Sequence, residues 1–73
     1  MITVLVNGNE RVFDTSTRAI DLVAALTPGD DHAGELRGVA LALNGRVIPR
    51  GQWAQTSLVD GDRVEIVQAV QGG

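Results

Sequence analysis

Two Asn-Gly pairs, Asn7-Gly8 and Asn44-Gly45, constrain this chain more than any other feature. An Asn-Gly step populates positive φ at both positions, which a two-residue hairpin turn demands, because that turn matches the right-handed twist of its strands. Each pair sits between short runs with strand character. Ahead of the first, Ile2, Val4 and Val6 alternate with Thr3 and Leu5, a period of two that β-branched residues favour. Behind it, residues 10–13 return and put Val12 or Phe13 on the core. Ahead of the second, Val39, Leu41 and Leu43 alternate with Ala40 and Ala42. Behind it, Arg46-Val47-Ile48 returns and Pro49, which cannot donate to a ladder, ends the strand.

Between the hairpins the period changes. Ala19, Leu22, Val23 and Leu26 fall at i, i+3, i+4 and i+7, one apolar stripe of a helix. The spacing predicts a helix over about 17–26, with N-cap chemistry from Asp14-Thr15-Ser16-Thr17 and a stop at Pro28-Gly29. Residues 29–38 read as a polar loop, residues 50–57 as irregular or 3₁₀, and Asp60-Gly61-Asp62 as a third turn. The last strand covers 63–70, with Val64 and Ile66 on one face and Val67 and Ala69 on the other.

A chain of 73 residues makes one small domain. One helix covering one face of a mixed four- or five-stranded sheet satisfies this order, with the first and last strands parallel neighbours near the centre. That is the β-grasp, or ubiquitin-like, arrangement, an α+β fold. The expected domain is 1–70 and the expected tail 71–73. Leu22 is placed under the helix, and Ile2, Val4, Val39, Leu41, Leu43, Val64 and Ile66 on the covered face. The period then turns Thr3, Leu5, Ala40, Ala42, Val67 and Ala69 outward. Two readings of that outer set stay open: a protein-binding patch, or scattered exposed apolar residues.

Side chains able to do chemistry are scarce. Cysteine, lysine and tyrosine are absent and there is one histidine, which removes thiol catalysis, cysteine-based metal sites and Schiff-base chemistry. Asp30-Asp31-His32 reads as a solvated acidic loop, since nothing orients adjacent ligands. Ser16, Thr17 and Ser57 have no base beside them and fit capping or turns. Asp60 and Asp62 fit turn-shaping. No glycine-rich phosphate loop is present, so no nucleotide cofactor is expected. Trp53 reads first as a packing residue. Arg46 and Arg50 read as a solvated edge, with a docking patch for an acidic partner as the alternative. A formal charge of −3 argues against nucleic-acid binding. No apolar run exceeds five residues against the roughly 20 of a membrane span, and no basic leader precedes Met1, so the expected setting is cytoplasmic, away from the membrane.

The informative end is Gly72-Gly73. Two residues without Cβ atoms, fed directly by a strand, can thread a channel too narrow for side chains and place a carboxylate in another protein's active site. Here the residues carry a resemblance. Residues 43–53, LNGRVIPRGQW, resemble the V-N-G-x-x-V-P-R-x-x-W segment of thiamine-pathway sulfur-carrier proteins, the ThiS family. Residues 58–73, LVDGDRVEIVQAVQGG, look like that family's ending, and residues 1–8 are similar to its opening. The longer polar loop over 29–38 and Arg18, where members often carry a Thr cap, depart from the pattern. The resemblance implies that an E1-like, ATP-dependent enzyme adenylates Gly73. A persulfide sulfur, of the kind a cysteine desulfurase supplies, then displaces AMP. The resulting thiocarboxylate donates sulfur to a thiazole synthase. It implies a co-substrate, not an enzyme, with Gln71, Gly72 and Gly73 as the tail; from the outward phase of the strands, docking is expected on Leu5, Ala40, Ala42, Val67 and Ala69. A carrier for another pathway (molybdopterin-type), a ubiquitin-like modifier, and an interaction module with an inert tail are the alternatives.

Overall fold

A computed structural model describes residues 1–26 and 38–68. Strands β1 (Ile2–Val6) and β2 (Asn9–Phe13) precede helix α1 (Ala19–Leu26). Strands β3 (Val39–Leu43) and β4 (Arg46–Ile48), a 3₁₀ helix (Arg50–Gln55) and strand β5 (Arg63–Gln68) follow. The strands form one sheet in the order β2-β1-β5-β3-β4. β1 runs parallel to β5, and every other pair is antiparallel. The last strand therefore occupies the centre, paired on both edges, as the β-grasp order requires.

Both Asn-Gly pairs make the turns that the sequence predicts. Asn7 and Asn44 adopt φ of 50° and 52°, and Gly8 and Gly45 both adopt 86°, so positive φ occurs at both central positions of each hairpin. A Cβ at either glycine would meet nothing within 4 Å. Backbone conformation, not crowding, selects glycine there.

Helix α1 lies on one face of the sheet. Its Ala19, Leu22 and Val23 are buried against Val4, Val6, Leu41, Val64 and Leu58, and Trp53 joins the same core. Trp53 is 1% exposed and donates its indole N–H to the Ile48 carbonyl at 2.9 Å, so the packing reading holds. On β2 the core-facing residue is Phe13, half-buried opposite Ile2, while Val12 is exposed opposite Thr3.

Two expectations need correction. The helix starts at Ala19, two residues late, and Asp14 does not cap it. Asp14 instead closes its own turn by accepting from the Ser16 N–H and Oγ–H, both at 2.9 Å. The cap is Arg18, whose backbone N–H is held by the Asp21 carboxylate at 3.0 Å. This is the reaching-back half of a capping box with no hydroxyl residue at the cap. Secondly, Leu43 and Ile66 face inward but are only half-buried. Alternation reports which face a residue takes; an eight-residue helix, about 12 Å long, does not cover every position on that face.

Candidate functional site

The site is the uncovered face of the sheet and the strand that leads off it. Register decides what shares that face. β3 pairs with β5 so that Ala40 lies opposite Val67 and Ala42 opposite Glu65. Val47 lies opposite Ala42 on the outer strand. On the other side Leu5 lies opposite Arg63 across the parallel pair and opposite Glu10 across the hairpin, and Val12 lies opposite Thr3. The predicted set Leu5, Ala40, Ala42 and Val67 is therefore brought together on one face. Ala69, Gln71, Gly72 and Gly73 lie outside the described residues, as does the Asp30-Asp31-His32 group.

This face is apolar with charges set between. Val12, Val47 and Val67 are 60%, 70% and 64% exposed, far more than burial-seeking β-branched residues average. Sequence reading missed Val12 and Val47 as members of the face. Their signal was that each lies as far beyond its Asn-Gly turn as Thr3 or Ala42 lies before it. Leu5 is half-buried and, with Gly8, Gly45, Arg63, Val64 and Glu65, lines a shallow cavity of about 220 Å³. The two turn glycines leave this cavity open because they carry no side chain.

Strand β5 is held from its first residue. Asp62 is buried, 8% exposed, and its carboxylate is bonded within the fold. It accepts from the Val59 N–H at 2.8 Å and from Asn44 Nδ2 at 3.1 Å. Asp60 accepts from the Thr3 N–H at 2.8 Å, and Gly61, at φ 91°, donates to the Thr3 carbonyl at 2.8 Å. Both aspartates thus shape the entry to β5, as expected, and their oxygens point at protein donors. Among the described residues no three His, Asp or Glu side chains come together as a metal site would need. No described helix is long and apolar enough to cross a membrane. Arg46 on β4 and Arg50 at the start of the 3₁₀ helix are both exposed. The ionisation of Asp14 is biased: the Ser16 N–H and then its hydroxyl favour the carboxylate and hold it below its ordinary 3.8.

The two asparagines of the turns do more than turn. Each reaches β5 with its side chain. Asn44 Oδ1 accepts from the Arg63 N–H at 2.9 Å. Asn7 Oδ1 accepts from the Ile66 N–H at 2.9 Å, and Asn7 Nδ2 donates to the Ile66 carbonyl at 3.2 Å. Nothing in the local sequence announces these contacts, because the partners lie 19 and 59 residues away.

Comparison with known proteins gives a consistent set. A sequence-family model described as the ThiS family matches residues 4–73. The sulfur carrier protein ThiS of Escherichia coli strain K12 is 47% identical over 36 residues, which cover 49% of this chain and 54% of that protein. A thiazole synthase of Paramagnetospirillum magneticum is 36% identical over 69 residues, covering 94% of this chain and 19% of that protein. The chain thus spans about half the length of one curated relative and about a fifth of the other. A crystal structure of the thiamine biosynthesis protein ThiS from Geobacter metallireducens matches with a TM-score of 0.73. It is 31% identical, and the match covers 99% of this chain and 100% of that one.

Proposed function

The chain belongs to the ThiS family, and from that premise we propose that it carries sulfur on its last residue, Gly73, for thiazole formation in thiamine biosynthesis. The single observation that carries this is the course of β5. The central strand of the sheet carries Val67 on its open face beside Leu5 and Ala40, and in sequence it is the last described element before Gly72-Gly73. Residues 1–70 serve as the handle and 71–73 as the stem.

A terminal carboxylate, with a pKa near 3.5, is ionised at neutral pH and resists attack. It must first lose its charge. In the proposed route the Gly73 carboxylate attacks the α-phosphorus of ATP on an E1-like partner, releasing pyrophosphate and forming an acyl adenylate. The terminal sulfur of a partner's persulfide then attacks the carbonyl carbon and AMP leaves. A thiol cleaves the resulting acyl disulfide, leaving a thiocarboxylate on Gly73 and a disulfide on the donor side. A thiazole synthase takes the sulfur and returns the carboxylate. A chain without cysteine or lysine adds no side-chain thiol or side-chain amine of its own to compete. Nucleotide, metal and thiol chemistry belong to the partners, so the chain is a co-substrate. The likeness to a thiazole synthase supports the thiazole branch over a carrier for another pathway.

The test is intact mass after incubation with ATP, the adenylating partner and a persulfide donor. The parent should gain the mass of sulfur in place of oxygen at its C-terminus. Deleting Gly73 withdraws the carboxylate by about 3.5 Å and should abolish the gain, because misplacement of about 1 Å already costs about 100-fold in rate. A Gly73-deleted protein that still acquires the sulfur refutes this reading.

A further inference from the structure

We infer that Asn7 is a positioning residue for the tail: its side-chain amide fixes where β5 parts from β1, and so where the stem toward Gly73 begins. The inference rests on the reading of Gly73 as the carrier residue.

The parallel ladder between β1 and β5 is short. Leu5 N–H donates to the Asp62 carbonyl and Asn7 N–H to the Val64 carbonyl, both at 2.9 Å. The next rung on β5 belongs to Ile66, but β1 has already turned away at Gly8. The Asn7 side chain supplies the missing peptide group. Its Oδ1 takes the Ile66 N–H and its Nδ2 serves the Ile66 carbonyl, so one amide replaces both partners that a longer strand would have offered. The turn alone does not require this, because glycine satisfies positive φ at the first central position as well as asparagine does.

Asn44 provides the contrast. It occupies the same place in the same kind of turn, with φ within 2° of Asn7, and it also holds β5: its N–H donates to the Arg63 carbonyl at 2.7 Å and its Oδ1 accepts from the Arg63 N–H. The difference is topological. β3 is antiparallel to β5, so its turn meets the start of β5; β1 is parallel, so its turn meets the other end. One asparagine braces the entry and the other the exit. Beyond Ile66 the described register continues on the β3 side alone, to Val39 opposite Gln68. The Asn7 amide is thus the last described hold on the β1 edge before the chain runs on to Gly73. Seven residues past that point reach at most about 25 Å. Withdrawing the hold moves the fixed point on that edge back to Val64 and frees the end of β5 to swing about its β3 pairing.

The experiment compares Asn7→Gly with Asn44→Gly, each of which keeps the positive φ of its turn. Denaturant unfolding, amide hydrogen exchange and steady-state adenylation by the E1-like partner are measured on both and on the parent. Asn7→Gly should speed exchange at Ile66 and lower kcat for adenylation about tenfold at unchanged KM. The loss stays below the roughly 100-fold of a 1 Å misplacement because β3 still holds the other edge. Asn44→Gly should speed exchange at Arg63 and leave kcat within twofold of the parent, at a similar loss of stability. Asn7→Asp keeps the acceptor for the Ile66 N–H but loses the donor, and its kcat should fall between Asn7→Gly and parent. Equal kcat in the two glycine variants, or a loss that appears only in KM, overturns the positioning role. A parent that is not adenylated overturns the carrier reading itself, and the exchange data on Ile66 then stand apart from it.

Discussion

Val67 offers the cleanest test of the outer face. It is 64% exposed on the central strand, opposite Ala40. Full burial of a valine side chain stabilises by about 1.5–3 kcal/mol, so covering the exposed 64% contributes about 1–2 kcal/mol to a complex. Val67→Ala should therefore raise Kd for the adenylating partner about 5–30-fold, at 1.4 kcal/mol per tenfold. Val67→Asp should weaken binding by at least a further order of magnitude, because the carboxylate loses water at an interface that offers no partner for it. Fold stability should change by about 1 kcal/mol or less, the scale of strand preference at an exposed site. Leu5 is a poorer probe: it is half-buried, so Leu5→Asp disturbs the fold as well as the face. The matched control is Val59→Ala. Val59 is 59% exposed but lies before β5, outside the sheet, and its loss should leave Kd unchanged. Titration by fluorescence or calorimetry against the purified partner decides the matter. If Val67→Ala and Val59→Ala bind equally, the docking face has been assigned to the wrong side of the sheet.

Five further variants have expected outcomes. Leu22→Ala should cost about 2–5 kcal/mol by denaturant unfolding, since Leu22 is fully buried. Ile66→Ala should cost distinctly less, because Ile66 is only partly buried at the margin of the core. Asp62→Ala strips the acceptor from the Val59 N–H and Asn44 Nδ2 and should cost about 3–6 kcal/mol, the scale for two hydrogen bonds to a charged group. Asp60→Ala, which loses one exposed acceptor, should cost about 1 kcal/mol. Asp14 is held below its ordinary 3.8, so its folded-state pKa is depressed. Its contribution should be complete above pH 3.8 and vanish as pH falls through the folded value. Acid unfolding of Asp14→Ala should therefore differ from the parent only above that depressed value.

The sheet was legible because its determinants are local. Asn-Gly at two places, alternation on either side and Pro49 after β4 state turn type, face and strand end within a few residues. The parallel placement of β5 beside β1 followed from the strand count and the one crossover helix. What could not be read is contact between distant segments. Asp14-Thr15-Ser16-Thr17 offers four capping residues, and Asp14 spends its oxygen on Ser16 instead; the cap falls to Arg18, a residue that carries no capping signal, because Asp21 supplies the bond from inside the helix. Asp62 looks like any turn aspartate until Asn44, 18 residues away, is seen to donate to it. Of the candidate site, Leu5, Ala40, Ala42 and Val67 follow from period two alone. Val12 and Val47 needed the hairpin registers as well, and the side-chain roles of Asn7 and Asn44 needed the pairing of both hairpins with β5.

The arrangement separates three demands that a small chain could easily set against one another. Stability comes from the inner face, where Leu22, Leu41, Val64 and Trp53 are all 1% exposed or less. Recognition is assigned to the outer face, whose valines contribute little to folding and can therefore be chosen for a partner. Chemistry is assigned to the stem, Gln71-Gly72-Gly73. These demands meet only in β5, which shows Val64 to the core and Val67 to solvent and leads to Gly73. A strand with all three tasks must not slip, since a one-residue shift would exchange the faces and move the carboxylate by about 3.3 Å. The central position answers that need. β5 is paired on both edges, its start is held by Asp62 and Asn44, and Asn7 grips Ile66. A tail leaving an edge strand would have had half of these restraints, and the parallel pairing of β1 with β5 is what brings the first hairpin turn to the end from which the tail departs.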